Sequence, residues 1–235
     1  MHKTSPIIVA LDFSSDREAF ALVDQLEPAM CRLKVGKALF TRCGPSLVKK
    51  LVDKNFDVFL DLKYHDIPNT VAQACAVAAD LGVWMLNVHA LGGEKMMQAA
   101  REATSDVDSP LLIAVTWLTS SGQAELDALG IKVTPQEMVS RLALMSQNAG
   151  LDGVVCSAQE APMLRKVLNS HSLLVTPGIR LDDKAYSAVK QDDQCRVVTP
   201  EKAMNDGATY LVIGRPITQS DDPCKVLRTI NNVIG

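Results

Sequence analysis

Residues 57–68 read Asp57-Val58-Phe59-Leu60-Asp61-Leu62-Lys63-Tyr64-His65-Asp66-Ile67-Pro68. The run Asp57–Lys63 is too apolar at its centre to leave one face in water, which is the mark of a parallel strand covered on both sides. Pro68 then opens an alanine-rich stretch over 68–82, where a missing backbone N–H is harmless at a helix start. This strand-then-helix unit recurs along the chain. Similar runs fall at Ile7–Phe13, Cys31–Lys37, Trp84–Ala90, Leu111–Leu118, Gly153–Ser157, Leu173–Ile179 and Tyr210–Pro216. Helix-like segments lie at 15–27, 44–54, 68–82, 93–104, 134–148, 158–169, 199–207 and 221–233. Pro135 and Pro200 also stand near helix starts, and Thr134-Pro135-Gln136-Glu137 has capping-box spacing.

Eight strands, each followed by a helix, is the count of a closed (β/α)8, or TIM, barrel, and right-handed crossovers leave few other solutions. An open doubly wound sheet would want about six strands and a glycine-rich first turn. Asp12-Phe13-Ser14-Ser15 is not such a turn. The length of 235 residues suits one barrel of the usual size, roughly 250, and we read residues 1–235 as a single domain without a linker. Two connections, 119–133 and 180–198, are long and would lie on the C-terminal face as candidate lids.

Bulk properties narrow the function. Hydrophobic residues make up 47% and charged residues 22%, ordinary for an enzyme with a large core. The net charge of −3, from 24 basic and 27 acidic residues without long runs of one sign, argues against nucleic acid or an anionic membrane as partner. The six cysteines are scattered without metal-ligand spacing and read as reduced thiols. The apolar run at Ile7–Leu11 is too short for a signal segment, and no stretch approaches the roughly 18 apolar residues of a membrane span. A cytoplasmic location is expected.

In a barrel, catalytic groups gather at the C-terminal ends of the strands. Asp12 closes the first run, Lys34 lies in the second, and Asp61 and Lys63 close the third, two apart and so on one face of a regular strand. Asp66 follows, although before Ile67-Pro68 it is equally well placed to charge the helix start. A buried salt-bridge network is the bland alternative, but gathering several charges without need usually costs stability. At the other end of the chain, Gly214-Arg215-Pro216 closes the eighth run: a glycine that admits backbone N–H groups, then a guanidinium matched to phosphate oxygens. Barrels commonly bind phosphate there and after the seventh strand, whose run Arg180 ends. His89 and His171 read as lone structural histidines. Met96-Met97 and the alanines of 68–82 read as helix packing, with that helix also a candidate dimer interface.

Asp61-Leu62-Lys63-Tyr64-His65-Asp66-Ile67-Pro68-Asn69-Thr70 resembles the D-x-K-x-x-D-I-P-N-T signature of orotidine 5′-monophosphate decarboxylases. Val9–Asp12, Leu33–Gly36, Asn87–Ala90, Val175–Arg180 and Val212–Pro216 extend the resemblance, in the family's order, over nearly the whole chain. The resemblance implies a homodimeric enzyme that converts orotidine 5′-monophosphate (OMP) to UMP and CO2 with no cofactor and no metal. Lys63 would stabilise and protonate the C6 anion. Asp61 would sit beside the departing carboxylate. Lys34 and Asp66 would complete an alternating Lys-Asp-Lys-Asp array, with Asp66 lent by the partner subunit. Asp12 and Lys34 would reach the ribose, Thr119 the pyrimidine edge, and Thr70 the substrate. Arg180, Gln194, Gly214 and Arg215 would serve the phosphate. No role follows for Tyr64 or His65.

Three other readings remain. A metal-dependent sugar-phosphate decarboxylase or synthase shares D-x-K-x-x-D but looks different at the second strand, where a glutamate ligates Mg²⁺ and this chain has Lys34. A Schiff-base aldolase needs a neutral amine, whereas carboxylates beside Lys63 favour the ammonium. The third is a nucleotide-binding barrel with a merely structural charge cluster.

Overall fold

Strands that are apolar on both faces must be covered on both, and here a closed sheet does this by facing itself on the inside and helices on the outside. The computed structural model describes residues 5–106, 109–181 and 198–235. Its strands are β1 (Ile7–Ala10), β2 (Arg32–Gly36), β3 (Val58–Tyr64), β4 (Met85–His89), β5 (Leu111–Val115), β6 (Gly153–Val155), β7 (Leu173–Thr176) and β8 (Tyr210–Ile213). Each pairs in parallel with the next, and β1 pairs with β8 to close the barrel. This is the (β/α)8 architecture expected from the sequence.

Strand alternation sorts the core into two. Ile8, Phe59, Met85, Ile113 and Val175 form a cluster inside the barrel, and Trp84 and Tyr210 pack against it. Their neighbours along the strands, such as Ile7, Val9, Leu33, Val58, Leu60 and Leu86, belong to the larger cluster shared with the helices. Two-residue periodicity carries the inward face of β2 from Arg32 to Lys34 and that of β3 from Phe59 to Asp61. Apolar side chains therefore fill the waist, and charged ones stand above and below it.

Most helices lie within a few residues of their expected places: Asp16–Val23, Pro45–Asp53, Pro68–Ala79, Glu94–Glu102, Pro135–Asn148, Pro200–Asn205 and Pro223–Ile234. The capping box is formed as read, with Glu137 N donating to Thr134 Oγ1 (3.2 Å) and Thr134 N to Glu137 Oε2 (2.8 Å). Segment 158–169 is no single helix: a 3₁₀ turn at Ala158–Glu160 leads into a short helix, Ala161–Leu164, with Pro162 in its first turn. Among the described residues, three further α-helices fall outside the segments expected to be helical. Lys37–Cys43 and Arg215–Thr218 each follow a glycine and have no side-chain cap, and Gln123–Ala128 interrupts the connection expected to be a loop over 119–133. The seventh run also ends early. Pro177 and Gly178 (φ 79) turn the chain after Thr176, so Arg180 stands beyond the strand rather than at its end. Among the described residues, no helix is long and apolar enough to cross a membrane.

Candidate active site

The third strand does something unusual near its C-terminal end. Leu60 pairs with Leu86, and the next pair is Tyr64 with Val88, so four residues of β3 advance against two of β4. Lys63 lies in this bulge with φ 54, a left-handed conformation that costs a non-glycine residue roughly 1–2 kcal/mol. The fully buried Asn87 of β4 bridges the irregularity. Its Oδ1 accepts from Lys63 N (2.7 Å) and its Nδ2 donates to Asp61 Oδ1 (2.7 Å). Asp61 and Lys63 do meet, with Lys63 Nζ 2.5 Å from Asp61 Oδ1. Their meeting rests on the bulge and its amide bridge, not on the plain two-residue alternation expected from the sequence.

Lys34 extends the cluster. Its Nζ lies 3.3 Å from Asp61 Oδ2 and 3.3 Å from Asp12 Oδ1. The result is a chain of charges, Asp12–Lys34–Asp61–Lys63, in which the Lys34 and Asp61 side chains keep 10% and 12% of their exposure while Asp12 keeps 71%. Burial pulls the Lys34 ammonium down, but Asp61 and Asp12 outweigh it and hold the group above its ordinary value. Burial likewise pushes Asp61 up, but Lys34, Lys63 and the Asn87 amide leave it below the usual carboxylate range. Both stay charged near neutrality because each is partnered.

The remaining expected residues are placed less centrally. Gly214 follows β8 beside this cluster: a Cβ built on it would lie 3.9 Å from Asp12 Oδ2. Arg215 begins the short helix after β8, half-buried. Arg180, half-buried beyond β7, donates from its guanidinium to Ile179 O (2.8 Å). Thr119 is half-buried after β5. Asp66 and Thr70 are exposed at the start of helix Pro68–Ala79 and stand apart from the ion-pair chain. The Asp66 carboxylate accepts from Ile67 N (2.6 Å). Gln194 lies outside the described residues.

Two side chains deserve a different reading from the one the sequence supports. Asn87 carries no charge and sits in an apolar run, so nothing local marks it as part of the site. His89, read as a lone histidine, stacks on His65 with ring centroids 5.6 Å apart and 24° between planes. Burial, then the charges of His65, Lys37 and Lys63, lowers His89 to about 4, so it is neutral at physiological pH. Tyr64 packs on the outer core cluster, and burial raises its phenol to about 12.

The model of the "Orotidine 5'-phosphate decarboxylase / HUMPS family" matches residues 5–230. The chain belongs to this family. A relative from Nitrosococcus oceani named orotidine 5′-phosphate decarboxylase is 60% identical over 232 residues, 98% of each chain. One of the same name from Saccharophagus degradans is 56% identical and covers 95% of this chain and 92% of its own length. Among solved structures, the orotidine 5′-phosphate decarboxylase from Lactobacillus acidophilus superposes with a TM-score of 0.86 at 34% identity, covering 98% of this chain and 99% of its own. An uncharacterized conserved protein from Geobacillus kaustophilus superposes at 0.84 and 36% identity, covering 98% and 100%.

Proposed function

We propose that this chain is an orotidine 5′-phosphate decarboxylase that releases CO2 from OMP to give UMP in de novo pyrimidine biosynthesis, without a cofactor. The observation that carries the reading is the Lys34–Asp61–Lys63 array at the barrel mouth, with Lys34 and Asp61 buried and Lys63 half-buried. Loss of CO2 from C6 leaves an anion in the plane of the ring, which the pyrimidine π system cannot absorb. An ammonium at C6 can stabilise that charge and then donate the proton, and Lys63 is the side chain for both tasks. Asp61 fixes Lys63 and faces the departing carboxylate. Two carboxylates ~4 Å apart at an effective dielectric of ~20 repel by about 4 kcal/mol, or about three powers of ten in rate. Repulsion is therefore a helper, and stabilisation of the anion dominates.

The other roles follow the barrel. Asp12 and Lys34 hold the ribose hydroxyls, and Thr119 the pyrimidine edge. Arg215, behind the backbone of Gly214, takes the phosphate with Arg180 and Gln194, in the region after the seventh and eighth strands where barrels commonly bind it. Residues 1–235 act as one domain, in the cytoplasm, as a homodimer that binds no nucleic acid or membrane.

The family's name spans more than one activity, and Lys34 favours the decarboxylase: an ammonium repels a divalent cation where the metal-dependent enzymes it resembles have a glutamate. The test is loss of orotate absorbance from OMP, with and without EDTA. Decarboxylation unchanged by EDTA is expected. Activity abolished by chelation and restored by Mg²⁺ would move the reading to the metal-dependent class.

In the dimer, each site takes Asp66 from its partner. The bulge turns Lys63 into the mouth, and the chain then leaves toward Pro68, carrying Asp66 to an exposed position off its own ion-pair chain. Mixing Lys63→Ala with Asp66→Ala tests this. Random exchange makes half the dimers mixed, and each mixed dimer has one intact site, so about a quarter of wild-type activity returns for a two-fold interface. No recovery after verified subunit exchange would place Asp66 in its own subunit's site.

A further inference from the structure

Asn87 touches two members of the charge chain at once. We infer that Asn87 is a positioning residue for the decarboxylation, holding the Asp61 carboxylate and the Lys63 backbone in one rigid unit; the inference rests on the function proposed above. The side chain is fully buried on β4, opposite the bulge of β3. Its two hydrogen bonds, each 2.7 Å, leave one orientation of the amide: the Lys63 N–H requires an acceptor and the Asp61 carboxylate requires a donor. The two ends therefore cannot be exchanged. Asparagine meets this demand because it presents a donor and an acceptor on one short planar group.

The consequences for the lysine are specific. The bulge interrupts the β3–β4 ladder, so the Lys63 N–H finds its partner in the Asn87 side chain, at a residue held at φ 54. Asp61 Oδ1 accepts from both Asn87 and Lys63 Nζ while Oδ2 faces Lys34, so the carboxylate cannot rotate without breaking one of these contacts. Together the bonds fix the root of Lys63 and the carboxylate that aims its tip. A reacting group misplaced by an ångström can cost about 100-fold in rate while leaving ground-state binding nearly intact.

Asn87→Ala removes both bonds. We expect kcat for OMP to fall by about 100-fold with affinity for UMP, measured by calorimetry, kept within about threefold. Asn87→Asp supplies the sharper readout. As a carboxylate it sets a second negative charge against Asp61; as a neutral acid it again offers a donor and an acceptor. Asp61 and Lys63 of β3 are its charged partners, Lys34 of β2 and Asp12 after β1 follow along the ion-pair chain, and His89 stands two residues on along β4. Relative to wild type at each pH, Asn87→Asp activity should rise as the pH is lowered from 8 to 5.5, and Asn87→Ala should show no such rise. Wild-type kcat in Asn87→Ala, or parallel losses of kcat and UMP affinity, would overturn the inference. If Asn87→Ala does not fold, Asn87→Asp decides alone, since a pH profile parallel to wild type would equally overturn it. A wild-type protein inactive on OMP would end the decarboxylase reading instead, before any variant is compared.

Discussion

The two ends of the barrel interior each hold a buried cation from the same strand, and they treat it in opposite ways. At the N-terminal end, Arg32 lies with its guanidinium 4.4 Å from the centre of the Trp84 ring and 5.0 Å from that of Tyr210. Its Nε is 3.1 Å from Asp57, and it also donates to the Ser5 carbonyl. Two residues on, Lys34 faces carboxylates alone, as a link in the chain from Asp12 to Lys63. Arg32 is a delocalised cation laid between aromatic faces, where it plugs the floor of the barrel. Lys34 is a compact charge in an array that extends toward solvent through the exposed Asp12. The waist of Ile8, Phe59, Met85, Ile113 and Val175 separates them. A buried cation is thus no mark of a site by itself; what matters is whether its surroundings are closed by packing or open toward a ligand.

Removing the lysine at the tip of the upper array should give the largest effect. Lys63→Ala should lower kcat/KM by about four powers of ten, some 5.5 kcal/mol of transition-state stabilisation. The melting temperature should move by only about 3 °C, because Asp61 keeps Lys34 and Asn87. Kinetics and a thermal melt on the same preparation check both halves. A large loss of stability would make the upper cluster a structural plug like the lower one.

At the floor the pattern should reverse. Arg32→Ala should destabilise by about 2–4 kcal/mol, through the lost ring contacts, the vacated volume and the exposed Asp57 partner. Urea denaturation measures this. The kcat of the folded variant should stay at the wild-type level, and a fall in kcat comparable to that of Lys63→Ala would show that the waist does not insulate the two ends.

A smaller effect separates groups within the upper end. Asp61, lowered in the folded state, contributes stability above its unfolded pKa and loses it as pH falls through the folded one. Lys34, raised, contributes below its unfolded pKa and loses that as pH rises through the folded one. Both are therefore steady near neutrality. His89 differs: its folded value of about 4 lies under the ordinary 6.5, so between these values the unfolded chain binds more protons and stability falls as pH falls. That shift would carry roughly 3 kcal/mol, which partial exposure reduces to about 1–2. Denaturation at pH 7 and pH 4.5 should show the loss in the wild type and much less of it in His89→Phe. Equal pH dependence in the two proteins would remove His89 from the account.

Sequence alone determined the barrel, because eight apolar runs spaced by helix-forming segments can bury both faces of every strand in few other ways. It also placed Asp12, Lys34, Asp61 and Lys63 toward the C-terminal ends of their runs, where a charged side chain facing inward reaches the mouth of a barrel. Tertiary structure decided what alternation could not. Left-handed backbone at Lys63 and the register shift of β3 against β4 have no local signature, because they are stabilised by Asn87, 24 residues away along the chain. The pairing of His65 with His89 and the short uncapped helices Lys37–Cys43 and Arg215–Thr218 are likewise products of neighbours brought together by closure. Periodicity reports which face of a strand is buried. Which buried polar groups share hydrogen bonds depends on the register between strands, and that is set only when the barrel closes.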